Sequence, residues 1–353
     1  MNSKERFYAT IKGAKVDRPA TWLGLPVPSA IAGLKKYFKC DSIEELKIKL
    51  EDDVWPVMVP YNFPPNNDIG CAFNFAKNQT GGAQDERTLT APGYFENMTD
   101  PLEVAKYNWP DPHDYLDTKE ALIRAKAIDE NYVRMGIMWS AHFQDTCSAF
   151  GMENALTTMM MYPDMFRAVI ERITDFYLMA NELFYESTKG YLDSVLIGND
   201  FGSQSALMVD PSLLEEYVFP GTKKLIDQAK SYGLTVVHHS CGSIFPIIDN
   251  LFEMGVDVIH PIQALASDMD ASTLKDNFSG KGAFCGGVDA QNLLVNGKPH
   301  EVRQEVIKLL DIYPTKLVFS PSHEAILPDI NPANIEAIYN TLKEFRTLRY
   351  NSK

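Results

Sequence analysis

The stretch Leu234-Thr-Val-Val-His-His-Ser-Cys-Gly-Ser-Ile-Phe-Pro-Ile-Ile-Asp-Asn-Leu-Phe-Glu-Met-Gly-Val-Asp-Val-Ile-His-Pro261 holds two short β-rich runs, Leu234 to His239 and Val256 to Pro261, separated by a helical segment. Two strands joined through a helix lie parallel, because only a long crossover returns the chain to the same edge. The rhythm recurs from residue 131 onward, with further β-rich runs at Tyr132 to Met138, Ser194 to Asn199, Gly282 to Gly287 and Leu317 to Pro321. Between them, Phe166, Val169, Ile170, Ile173, Tyr177, Ala180, Leu183 and Phe184 repeat at helical spacing. Asp210-Pro211 and Asn331-Pro332 read as helix starts, and Gly190 and Gly233 follow helix ends. Upstream, Ala20 to Gly24 and Val54 to Val59 supply two more candidate strands around a helix at Ser42 to Leu50. Eight strands alternating with helices predict an α/β fold, a (β/α)8 TIM barrel formed as a single domain over residues 1–353. An N-terminal helical extension precedes it. Residues 60–130 break the rhythm with Pro64-Pro65-Asn66-Asn67 and Trp109-Pro110-Asp111-Pro112, which predicts a loop-rich insertion or lid.

Bulk composition narrows the function classes. A chain of 353 residues with 45% hydrophobic residues can bury a large core. Its 33 Lys and Arg stand against 47 Asp and Glu, a formal charge of -14, and no basic run tracks phosphates. Nucleic acid is therefore excluded as a partner. No apolar run approaches membrane-spanning length, and no apolar segment follows the charged N-terminus, so the expectation is a cytoplasmic protein without a membrane partner. Five scattered cysteines, Cys40, Cys71, Cys147, Cys241 and Cys285, do not form a disulfide framework.

In a barrel, the side chains that do chemistry sit at the C-terminal ends of strands, where loops form the mouth. Those ends carry Asn199-Asp200, His239 and Cys241, His260 and Gln263, Asp289, and Ser322-His323-Glu324. In His239-Ser240-Cys241 the strand period of two turns an imidazole and a thiol to one side. This pair suits zinc. A catalytic zinc needs a third protein ligand, for which His323 is the first candidate, Cys285 the rival, and Asp200 or Glu324 the carboxylate options. Asp200, Asp289 and Glu324 are the candidate catalytic carboxylates, Asp289 also as an acceptor for a ligand imidazole. Tyr61, Trp139, His142 and Gln263 are candidate substrate contacts around the mouth, and the aromatics there suit a small apolar or aromatic substrate.

The segments Asp200-Phe-Gly-Ser-Gln204, Val236-Val-His-His-Ser-Cys-Gly242, Gly286-Gly-Val-Asp289 and Phe319-Ser-Pro-Ser-His-Glu324 carry a family likeness. The chain resembles the uroporphyrinogen decarboxylase superfamily, and within it the branch similar to zinc-dependent, cobalamin (corrinoid)-linked methyltransferases. The resemblance implies a single barrel, and it adds Gln204 to the expected substrate contacts. It departs from the decarboxylases. Their arginine-bearing N-terminal segment matches Trp22-Leu-Gly-Leu-Pro-Val-Pro, and their catalytic aspartate falls near Met58-Val-Pro-Tyr61, where no Asp occurs. In the methyltransferase branch His239, Cys241 and a third ligand on the eighth strand hold Zn2+; His323 stands where methylcobamide:coenzyme M methyltransferases carry Cys. The implied activity moves a methyl group between a small substrate, such as a methoxylated aromatic undergoing O-demethylation, and the cobalt of a partner corrinoid protein. Methylcobamide:thiol methyl transfer and a uroporphyrinogen decarboxylase-like lyase are the alternatives, and a homodimer is the assembly to look for.

Overall fold

Parallel pairing runs through the chain in sequence order. The strands are β1 (Leu25–Pro26), β2 (Val54–Met58), β3 (Val133–Ile137), β4 (Ser194–Gly198), β5 (Thr235–His239), β6 (Val258–Ile262), β7 (Ala283–Val288), β8 (Leu317–Pro321) and β9 (Ala325–Ile326). Strands β2 to β8 form one seven-stranded sheet in the order of the chain, and β1 pairs with β9 in a second, two-stranded sheet. A computed structural model describes residues 1–62, 69–75 and 90–351. The Pro64-Pro65-Asn66-Asn67 breaker lies outside them.

The expected strand at Ala20 to Gly24 is reduced to a bridge, and it closes the curl. Trp22 N–H donates to Phe319 of β8 at 2.9 Å and Phe319 N–H to Ala20 at 2.8 Å, while Asp53 N–H, just before β2, donates to Thr21 at 3.2 Å. Buried carboxylates take the place of the missing ladder. Asp53 accepts from Thr21 N–H at 2.9 Å and Asp52 from Leu23 N–H at 3.0 Å. Pro19, which lacks an N–H, precedes the segment.

Alternation within the strands builds two cores. Val54, Met135, Leu196, Val237, Val258, Ala283, Cys285 and Val318 point inward with Trp22 and Phe7, and they fill the barrel to a residual void of about 10 Å³. Phe7 comes from the N-terminal helix Ser3–Ile11, which Asn2 and Glu5 cap reciprocally. Val236, Ile259, Phe284 and Phe319 point outward into the layer of helices. The described part of the 60–130 insertion is short helical turns and the helix Thr118–Ala127. Its Phe73, Phe75, Phe95 and Trp109 form an aromatic cluster against Phe150, Phe176 and Tyr177. Among the described residues no helix is long and apolar enough to cross a membrane.

Candidate metal centre

Strand β5 ends in the expected turn of side chains. Val237 points into the barrel, so His239 does too, whereas His238 packs outward against Phe201 with ring centroids 5.9 Å apart. His238 is buried without a partner among the described residues, and burial with the neighbouring charge on His239 lowers its pKa to about 3. It is a neutral core imidazole.

Around His239 the polar groups converge. Its Nε2 lies 3.1 Å from Asp200 Oδ1 and 3.4 Å from Cys241 Sγ, and its Nδ1 lies 3.0 Å from His260 Nδ1 and 3.6 Å from Glu324 Oε2. His323 stands beside this group, with its ring centroid 6.4 Å from that of His239. Two sets of ligand atoms each lie within 4.8 Å of one another, Asp200 with His239 and Cys241, and His239 with His260 and Glu324. The set proposed from sequence is thus brought together in part: His239 and Cys241 are neighbours, Asp200 is closer to the pair than expected, and His323 stands nearby but belongs to neither group of ligand atoms.

The electrostatics are those of a thiolate–imidazolium cluster. Burial pushes the Cys241 thiol up, but hydrogen bonds from His239 and His323 outweigh it and hold the thiol below its ordinary value. Burial opposes the charged form of His239 too, yet Asp200, Cys241 and Glu324 raise it well above the usual imidazole range. Asp200, despite burial, is held at about 2 by His239 and by the Cys241 N–H, which it accepts at 2.9 Å. A metal ion would replace the protons that His239 and Cys241 share here. Glu324 Oε2 and His260 Nε2 are buried without a hydrogen-bond partner among the described residues. A thiol, imidazoles, carboxylates and orphaned polar atoms at one point fit a divalent zinc ion.

Supporting residues fix the turn. Gln144 holds Asp200 from both ends, donating from Nε2 to Oδ2 and accepting Asp200 N–H, each at 3.2 Å. Gln263 Oε1 accepts the N–H of Gly242. Gly242 has a φ of +83°, and a Cβ there would stand 2.5 Å from the backbone oxygens of Gly202 and Ser203, so only glycine lets the two mouth loops meet. Trp139 packs edge-on against His239 with centroids 5.1 Å apart.

Other candidates lie elsewhere. Cys285, the rival third ligand, is enclosed by apolar side chains in the barrel interior, and burial raises its thiol pKa. His142 is wholly buried, its Nε2 3.2 Å from the Val218 carbonyl and its Nδ1 3.2 Å from the Asn199 amide, which makes it a core residue instead of a substrate contact. Asp289 accepts the N–H groups of Gln291, Asn292 and Leu293 at 2.8, 3.2 and 2.9 Å; it caps the turn after β7, and among the described residues no imidazole hydrogen-bonds to it. Gln204 is exposed, with its backbone carbonyl bound by Ser267 N–H at 2.9 Å. Tyr61 follows β2 and bridges Leu116 through the backbone. Sequence reasoning missed Gln144 altogether and gave His260 no role, although two neighbouring β-runs that each carry a His at or next to their last residue were a usable signal.

Comparison with known proteins agrees with this architecture. No curated protein matches the chain. A methyltransferase from Methanosarcina mazei superposes with a TM-score of 0.69 at 15% identity, over 98% of this chain and 99% of that one, which shows the shared fold. A protein from Listeria monocytogenes described as a vitamin-B12-independent methionine synthase matches at 14% identity over 96% and 98% of the two chains, with a TM-score of 0.46. The family model for uroporphyrinogen decarboxylase matches residues 83–345, and the chain belongs to that family.

Proposed function

We propose that this protein is a zinc-dependent methyltransferase that moves a methyl group between a small substrate, such as a methoxylated aromatic, and the cobalt of a partner corrinoid protein. The observation that carries the reading is the meeting of Cys241, His239 and Asp200 at the C-terminal ends of the strands, with the His323 ring beside them. The methyltransferase fold of the M. mazei protein supports it. When bound, zinc would supply Lewis acidity at the heteroatom that loses the methyl group, an effect worth several kcal/mol.

The chain's own residues do the rest. His239, Cys241 and His323 would hold the ion, with Asp200 the carboxylate within its reach. Gln144 and Gln263 keep Asp200 and Gly242 from drifting, so the ligand turn is formed before substrate arrives. His323 Nδ1 accepts Ala325 N–H at 3.0 Å, which leaves its proton on Nε2, toward the sulfur. For Nε2 to become a ligand that proton must move to Nδ1, which must then release Ala325 N–H. Trp139 supplies an apolar wall beside His239. The heteroatom keeps the electron pair of its bond to methyl and takes a proton from solvent to become the neutral alcohol or phenol, while the methyl group would pass to the partner's reduced cobalt, which supplies the electron pair of the new bond.

A decarboxylase acting on a tetrapyrrole fits less well. Trp22 and Leu23, where an arginine would be needed, are buried apolar side chains. The test mixes the protein with a reduced corrinoid protein and a panel of methoxylated aromatics, following the cobalt absorption. Substrate-dependent methylation that is lost in Cys241→Ala is expected; no spectral change with any methyl donor or acceptor contradicts the reading.

A further inference from the structure

We infer that His260 is a positioning residue that fixes the ring of His239, accepting a hydrogen bond from His239 Nδ1–H so that Nε2 is presented to the metal beside Cys241. The inference rests on the metal reading above and assigns the residue that sets the ligand's tautomer.

The strand register produces the contact. His239 on β5 pairs directly with His260 on β6, and because Val237 and Val258 of the same strands both point into the barrel, the two imidazoles do as well. Their Nδ1 atoms lie 3.0 Å apart with ring centroids at 5.1 Å. Two ring nitrogens at that separation need one proton between them. A proton on each, or on neither, sets like groups against each other in a site where His260 is wholly buried.

Metal binding decides which ring donates. Asp200 and Cys241 face His239 Nε2, so that nitrogen must offer its lone pair to an ion there. A neutral imidazole with its lone pair on Nε2 carries its proton on Nδ1. His239 therefore donates and His260 accepts. Glu324 Oε2, at 3.6 Å from the same Nδ1, is too far to compete for a well-formed hydrogen bond. Trp22, packed on His260 with centroids 4.9 Å apart, holds the accepting ring in place.

The choice of acceptor has a chemical consequence. A carboxylate acceptor makes a ligand imidazole more basic and dulls the ion as a Lewis acid. A neutral imidazole acceptor does so less, which suits polarisation of an ether oxygen.

The test joins two readouts. Long-range proton–nitrogen NMR of ¹⁵N-histidine protein should show His239 protonated on Nδ1 in both the metal-free and zinc-loaded forms, with that hydrogen-bonded proton kept in Glu324→Gln and lost in His260→Phe. Chelator competition should show zinc binding about 10–100-fold weaker in His260→Phe and changed no more than about threefold in His260→Asn, whose amide oxygen can replace Nδ1. An unprotonated Nδ1 in zinc-loaded wild type, or wild-type zinc affinity in a folded His260→Phe, overturns the inference. Should His260→Phe not fold, the wild-type spectra and His260→Asn carry the test, and a loss of 10-fold or more in His260→Asn counts against it. Absence of zinc from wild type overturns the metal reading instead, and the hydrogen bond then stands or falls on the metal-free spectra alone.

Discussion

Gly24 and Glu324 are in backbone contact: Leu25 N–H donates to the Glu324 carbonyl at 2.6 Å, and a Cβ on Gly24 would stand 2.3 Å from that oxygen. The contact fastens the loop after β8 to the pair formed by β1 and β9, and so places His323 and Glu324 at the mouth. Gly24 also has a φ of +88°. Gly24→Ala should cost about 1–3 kcal/mol for the backbone conformation alone, with a further loss from the clash. A lowered thermal midpoint together with weaker zinc binding would bear this out. An unchanged midpoint would mean that the loop is held by other contacts.

The identity of the third ligand is open to a direct comparison. His323→Ala should weaken zinc binding by more than about 100-fold, and Asp200→Asn by about 10–100-fold, the range for a residue that positions ligands. Chelator competition on both variants measures it. The reverse order makes Asp200 the ligand, as its Oδ1 beside His239 and Cys241 allows.

Acid stability should reflect the N-terminal ion pairs. Burial would raise the pKa of Asp17, but Arg6, whose Nε lies 2.8 Å from Oδ1, outweighs it and lowers the group from 3.8 to about 2. A carboxyl whose folded pKa lies below its unfolded value adds stability that is complete above about pH 4 and is lost as the pH falls toward 2. Asp17→Asn should flatten the slope of the urea midpoint against pH between about 2 and 4. An identical slope in wild type and variant would remove Asp17 from the account.

The barrel interior and the metal centre should respond independently. Phe7→Ala opens a cavity in a filled core, with an expected loss of about 3–5 kcal/mol and no change in zinc stoichiometry. Cys285→Ser likewise should leave zinc content unchanged, since the thiol is enclosed by apolar side chains. Loss of metal in a folded Cys285→Ser would restore it as a ligand.

Much of this was legible in the sequence, for physical reasons that differ by element. The alternation of β-rich and helical runs located seven of the strands, because hydrophobic periodicity follows burial directly. The segment at Ala20 escaped in detail: it bridges β8 through the backbone, but on its other side its N–H groups go to buried carboxylates, which no local pattern announces. His239 and Cys241 were readable together because the two-residue period of a strand is local. Their companions were not. Whether His323 or Asp200 approaches the sulfur depends on loop paths set by Gly24 and Gln144, and the contact of His239 with His260 depends on the register between two strands. His142 and Asp289 looked functional because polar residues follow strand ends. Packing turned one onto the Val218 carbonyl and backbone donors claimed the other.

The measurement that bears most directly on the central claim is elemental analysis of protein purified without added metal, made on wild type, His239→Ala and Cys241→Ala. One zinc per chain in wild type, and its loss from both folded variants, is the predicted result. Wild type without stoichiometric zinc, or variants that both retain it, would contradict the metal centre.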